Sequence, residues 1–167
     1  VVVMVDGSSS TEGEVAERLS RMAFAFAAAL RQAGHSAAVV PWGAGAVPLE
    51  DRRGAMFWHD PLPERVPCWE HSGTDLRDAA MACSETFAML RAKARRIALI
   101  LTDGQVSGRS HTGRRFDFGA DLAALWSFQC PVPDNWDGPG LVTEHPENAM
   151  RDLRASPLAA ALAGMKG

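Results

Sequence analysis

Two aspartates stand where apolar runs end, Asp6 after Val1-Val2-Val3-Met4-Val5 and Asp103 in the polar turn Thr102-Asp103-Gly104 that closes Ile97-Ala98-Leu99-Ile100-Leu101. Ser8 and Ser10 follow Asp6 at alternate positions of a turn, and Thr74 lies in Ser72-Gly73-Thr74-Asp75. Two carboxylates and three hydroxyls make an all-oxygen donor set. Such a set suits a hard divalent cation that keeps some of its water: magnesium first, manganese second. No soft ligand is called for, so zinc is not suggested. Each piece has a plainer reading when taken alone. Ser and Asp after a strand are common helix caps, and Asp-Gly is a common turn. What favours the metal reading is that the pieces recur in order, each where one element ends and another begins.

The elements that must position these groups follow from periodicity. Val1–Val5 and Ile97–Leu101 are short, apolar and without polar alternation, the pattern of strands buried on both faces of a parallel sheet. Between them, Thr11 with Glu14 reads as a capping box opening a helix that runs to about Ala33, with Gly34 as its stop. Val15, Leu19, Met22, Phe26, Leu30 and Ala33 recur at spacings of four and three as its apolar stripe. Glu14–Arg18 and Glu17–Arg21 are pairs four apart on the opposite face. Ala37–Val40 reads as a weaker strand closed by Pro41, and the Gly- and Pro-rich stretch to Pro67 holds at most a short edge strand near Ala55–Trp58. Ser72–Asp75 caps a second helix with Leu76, Ala80, Cys83, Phe87, Leu90 and Ala94 as its stripe. Basic residues Arg91, Lys93, Arg95 and Arg96 gather at its C-terminal end, where the helix dipole favours them. A third helix is expected over Phe118–Phe128, a strand is hinted at by Leu141-Val142-Thr143, and Ser156-Pro157 opens a last helix. Alternating strands and helices imply an α/β fold, a mostly parallel sheet with helices on both faces. In such sheets ligands sit beyond the carboxyl ends of the strands, where both aspartates fall.

The chain of 167 residues matches one domain, and residues 129–167 are its less regular C-terminal part. At 47% hydrophobic and 22% charged it is a globular composition, and a net charge of −3 excludes a strongly basic nucleic-acid footprint. No apolar run is long enough to span a membrane. Three cysteines, Cys68, Cys83 and Cys130, are an odd and sparse set that points to a reducing, cytoplasmic setting over a disulfide framework. The opening on Val1-Val2-Val3 suggests a domain drawn from a longer polypeptide.

Taken together, Asp6-x-Ser8-x-Ser10, the threonine of Ser72-Gly73-Thr74-Asp75-Leu76, and Leu101-Thr102-Asp103-Gly104 resemble the metal-ion-dependent adhesion site of the von Willebrand factor type A (vWA) domain. The resemblance covers about residues 1–128 in order, and all five site positions hold the expected residue type. It implies a three-layer Rossmann-like fold in which Ser8, Ser10 and Thr74 ligate magnesium and Asp6 and Asp103 bind it directly or through water. A partner's Asp or Glu carboxylate would complete the octahedron. The pattern is similar to the intracellular branch, which includes the C-terminal domain of cobaltochelatase subunits and domains that work with AAA+ ATPases. The resemblance thus implies a non-catalytic subunit or adaptor of an ATP-driven assembly. It also implies an apolar fifth strand after the third helix, where the chain offers only Phe128-Gln129-Cys130-Pro131-Val132-Pro133, as though the far side of the sheet were shortened.

Other chemistries meet specific obstacles. A magnesium-dependent phosphatase using Asp6 as nucleophile remains the enzymatic alternative, but it wants a second Asp two residues on, where Ser8 stands. A Ser-His-Asp hydrolase lacks a Gly-x-Ser-x-Gly elbow. His59, Cys68 and His71 lack paired zinc-ligand spacing. Trp42, Trp58, Trp69, Trp126 and Trp136 are read as core and edge packing, with an aromatic partner-binding rim as the alternative. The segment from Gly104 to Arg115 carries Arg109, His111, Arg114 and Arg115 and no acid, so it is expected to form a positive rim attracting a carboxylate-bearing partner, or else an ordinary solvated loop.

Overall fold

The structure is a computed structural model and describes residues 1–8, 11, 13–43, 75–90, 95–103, 116–132 and 136–164. Among the described residues five strands form one sheet: β1 (Val2–Asp6), β2 (Ala38–Trp42), β3 (Ile97–Thr102), β4 (Leu122–Phe128) and β5 (Gly140–Thr143). Their order is β2-β1-β3-β4-β5, and every neighbouring pair is parallel. Helix α1 (Glu14–Gln32) connects β1 to β2, and α2 (Leu76–Met89) lies between β2 and β3. After β5 a short 3-10 turn (Pro146–Asn148) leads into α3 (Ala149–Ala155) and α4 (Pro157–Ala163).

The alternation of side chains along a strand decides which helix each residue meets. Val3, Val5, Leu99 and Leu101 share one buried cluster with Leu19, Ala23 and Phe24 of α1 and with Leu153 and Leu158 of α3 and α4. Val2, Met4, Val40 and Ile100 share the other with Leu76, Cys83 and Phe87 of α2 and with Phe118. The result is a three-layer Rossmann-like α/β fold. No helix among the described residues is long and apolar enough to cross a membrane.

Several sequence expectations are met closely. Gly34 adopts φ 88 just past α1, its N–H donates to Arg31 O and that of His35 to Leu30 O, both at 2.9 Å, which completes a Schellman stop. Asp75 caps α2 by accepting from Arg77 N at 2.8 Å. The Ser156 hydroxyl accepts from Ala159 N at 3.2 Å at the start of α4. The strand hinted at near Leu141 is β5, and β2 continues through Pro41 to Trp42, which an edge strand of the described sheet tolerates.

Others are corrected. The segment expected as a third helix is β4, buried between β3 and β5. Leu-Ala-Ala-Leu-Trp-Ser-Phe is apolar nearly throughout, so it satisfies a helical and an extended period equally, and only its neighbours choose. Asp121 marks its start, accepting from Arg96 N at 2.7 Å and tying it to the start of β3.

The α1 stripe is also rotated. Ala16, Leu19, Ser20, Ala23, Phe24 and Ala27 face the sheet, while Val15 is 36% exposed. Met22 and Phe26 instead line an open groove of about 390 Å3 between α1 and α3, floored by Leu99, Leu101 and Trp126. The small Ala16, Ala23 and Ala27 let the helix approach the strands closely, and Leu19 and Phe24 fill the space beside them. The capping box is absent too: Gly13 is the N-cap and no side chain caps it. In α2, Leu90 lies just past the helix and is exposed, whereas Leu76, Ala80, Cys83 and Phe87 are buried as expected. Trp42 and Trp126 are core residues and Trp136 is half-buried against the α2-side cluster. Cys83 and Cys130 are free, and burial pushes the Cys83 thiol up to about 12. The edge strand expected near Ala55–Trp58, together with Trp58, Trp69, Cys68, His59 and His71, lies outside the described residues.

Candidate functional site

From β1 the chain turns one way to β2, then returns past β1 to reach β3 on the other side. The order therefore reverses between β1 and β3, the topological switch point at which parallel sheets open a crevice. Asp6 is the last residue of β1, and Asp103 directly follows β3. β1 and β3 are hydrogen-bonded neighbours, with Val5 opposite Leu101. The two aspartates thus end adjacent strands at the same edge.

Asp6 is only 1% exposed. Its Oδ1 accepts from Ser8 N at 2.9 Å, and its Oδ2 accepts from the Thr102 hydroxyl at 2.6 Å. Both carboxylate oxygens are thereby engaged, one by the following turn and one across the strands. Ser8 and Thr102 are themselves buried. The turn is tightened by Thr11, whose hydroxyl donates to Ser8 O at 2.7 Å and lies 3.2 Å from Asp6 O. Gly7 N donates to Trp42 O at 2.9 Å, which anchors the same turn to β2. These bonds explain the missing capping box: the Thr11 hydroxyl closes the turn after β1 and is not available to the helix.

Burial is the largest influence on Asp6 and pushes its carboxyl up from 3.8 to about 6. The Thr102 hydroxyl and then the Ser8 backbone and side-chain donors pull it down, and the Asp103 charge adds a further push upward. The two carboxylates are thus near enough to repel. A buried anion with a second anion beside it is an unfavourable arrangement without a counter-charge.

Of the candidate ligands, Asp6, Ser8 and Asp103 are gathered at one end of the β1–β3 pair. Ser10, Thr74, Arg109, His111, Arg114 and Arg115 lie outside the described residues. Thr74 immediately precedes Asp75, the N-cap of α2, and the first α2 residue, Leu76, is fully buried in the cluster that holds Met4 and Trp42.

No family model matches the chain, and no curated protein sequence matches it. The site rests on its own geometry.

Thr102 is the residue that sequence reasoning passed over as a turn-former. A signal was present: a hydroxyl closing an otherwise apolar buried strand needs a partner, and the nearest strand end carries a carboxylate. Thr102→Val removes the hydroxyl that donates to Asp6 Oδ2 and keeps the volume. The expected loss is about 2 kcal/mol at pH 7.5, because the bond is charge-assisted and buried, and about half that at pH 4.5, where Asp6 is protonated. Thr102→Ser should recover most of it. Urea unfolding of the three proteins at both pH values checks this.

Proposed function

We propose that this chain is a magnesium-dependent protein-binding domain of the vWA type, with manganese as a substitute ion. Asp6, Ser8, Ser10, Thr74 and Asp103 would hold the ion, and a carboxylate from an Asp or Glu of a partner protein would complete its coordination. The observation that carries this reading is the buried Asp6 carboxylate beside Asp103 at the switch point of the sheet. Two carboxylates with hydroxyls around them fit a hard cation, and a cation would offset both the burial and the mutual repulsion of the acids.

When bound, magnesium supplies the positive charge that a partner carboxylate recognises. The chain's own groups do the rest. Thr102 and Ser8 fix the Asp6 carboxylate in one orientation, so little reordering is required on loading. Arg109, His111, Arg114 and Arg115 would form a basic rim that speeds encounter with an acidic partner. The assembly that suits such a domain is a cytoplasmic, ATP-driven one, in which this chain is an adaptor or subunit beside an AAA+ ATPase, as in a cobaltochelatase-like metal chelatase. The domain itself binds and does not turn over substrate: position 8 is Ser, where an aspartyl phosphatase has its acid.

The ion should stabilise a fold that stands without it, since both faces of the sheet carry apolar clusters. At ten times its dissociation constant, magnesium should add about 1.4 kcal/mol, a rise in melting temperature of about 3–6 °C. Thermal unfolding in EDTA against millimolar magnesium or manganese measures this. An unchanged melting temperature with both ions would overturn the metal reading.

A further inference from the structure

Beside Asp103 the carboxyl edge of the sheet opens into a notch of about 30 Å3, walled by Val15, Arg18 and Met22 of α1 and by Phe128 and Gln129 at the end of β4. A single water needs roughly 10–15 Å3 on this measure, so the notch has room for one small group and not for a ring. Its lining is mainly apolar, which favours an aliphatic tip. Arg18 is already paired with Glu14 one turn back along α1, so the notch is not built around a cation awaiting an anion.

The backbone at its rim is unusual. Gln129 has φ 72, the only positive φ at a non-glycine position among the described residues. That conformation costs about 1–2 kcal/mol for a residue such as Gln and persists only where its surroundings impose it. Here Gln129 N donates to Thr143 O at 3.0 Å, and the Ser127 hydroxyl donates to Cys130 O at 2.6 Å, so the turn is held from both sides. Gln129 is exposed there, and its amide offers two donors and an acceptor beside the apolar notch. An amide next to a small apolar hollow suits a peptide, with the amide meeting a backbone group while a neighbouring side chain enters the hollow.

We propose that this notch is a specificity pocket for the residue next to the partner's metal-bound acid, and that it selects a branched aliphatic side chain of valine size. The proposal rests on the carboxylate-binding reading above. The contiguity of the notch with Asp103 is what ties it to that carboxylate rather than to an unrelated ligand.

The test uses the full chain, isotope-labelled and loaded with magnesium, titrated by NMR with capped tripeptides acetyl-Xaa-Asp-Xaa-amide in which Xaa is Gly, Val or Trp. The Val peptide should bind about 15- to 60-fold more tightly than the Gly peptide, as burying two or three carbon groups implies, and the Trp peptide no better than Gly. Val15→Phe fills the notch from an exposed helix position, so it should bring the Val peptide down to the Gly level with magnesium affinity unchanged. Equal, magnesium-dependent binding of all three peptides would overturn the notch and leave the carboxylate reading standing. A Val preference that survives Val15→Phe would also overturn it, by placing the selection elsewhere. Peptides that fail to bind with or without magnesium would overturn both.

Discussion

Asp6→Asn should make the metal-free protein more stable at neutral pH, by about 3 kcal/mol, or about 6–12 °C in melting temperature. The sign follows from linkage. In the folded chain the Asp6 carboxyl holds its proton up to about 6, whereas its ordinary value is 3.8. The contribution of protonated Asp6 to stability is therefore fully present below 3.8 and is lost as pH rises through 6. Asn keeps the shape and still accepts from Ser8 N, while the Thr102 hydroxyl can turn to accept from the new amide. It carries no charge to bury. The gain should vanish near pH 3.5, where Asp6 is neutral in both states. Magnesium should act in the opposite direction, stabilising the native chain and leaving Asp6→Asn unmoved. Urea unfolding in EDTA at pH 3.5 and 7.5, repeated with magnesium at 7.5, reads all three effects. A gain that is the same at both pH values would mean that charge burial at Asp6 is not its source.

The second large effect lies on the far side of the sheet. Trp126 is buried, stacks on Phe128 with ring centroids 5.3 Å apart, and donates from Nε1 to the Thr143 hydroxyl at 3.0 Å. It therefore packs β4 against the α1-side cluster and fastens β5 to β4. Trp126→Ala should cost about 3–5 kcal/mol through lost packing and the cavity left behind. Trp126→Phe keeps most of the packing and removes the indole donor, leaving the buried Thr143 hydroxyl short of its partner, at a cost of about 1–2 kcal/mol. Hydrogen exchange should then quicken in Gly140–Thr143 ahead of β1 and β3, because only the β4–β5 tie is cut. Uniform quickening across the sheet would show that Trp126 supports the core as a whole and not this edge.

The two predictions differ in how far their residues were legible beforehand. Asp6 and Asp103 could be found because each lies in a polar turn that closes a short apolar run with β-branched residues, which favours a strand over a helix. The candidate site was thus readable at its carboxylates and at Ser8, which share local segments with their strands. Thr102 was visible only as a turn residue, because its partner is 96 positions away in the chain. For Trp126 the surrounding pattern misled: a run apolar on all sides carries no period, and the same residues fit a helix.

What the sequence by itself determined is the set of features written in neighbouring residues. These are the two central strands with an acid at each end, the alternation that makes the sheet parallel, the glycine stop of α1 and the capped starts of α2 and α4. The tertiary structure alone decided that Leu122–Phe128 is a strand, that α1 packs Ala23, Phe24 and Ala27 on the sheet in place of Met22 and Phe26, and that the Thr102 hydroxyl reaches Asp6 across the strands. Each of those outcomes depends on which distant segment supplies the hydrogen-bond partner or the opposing surface. Local propensity is a weak term, and a strand between two others gains a ladder on both sides that no isolated helix can match.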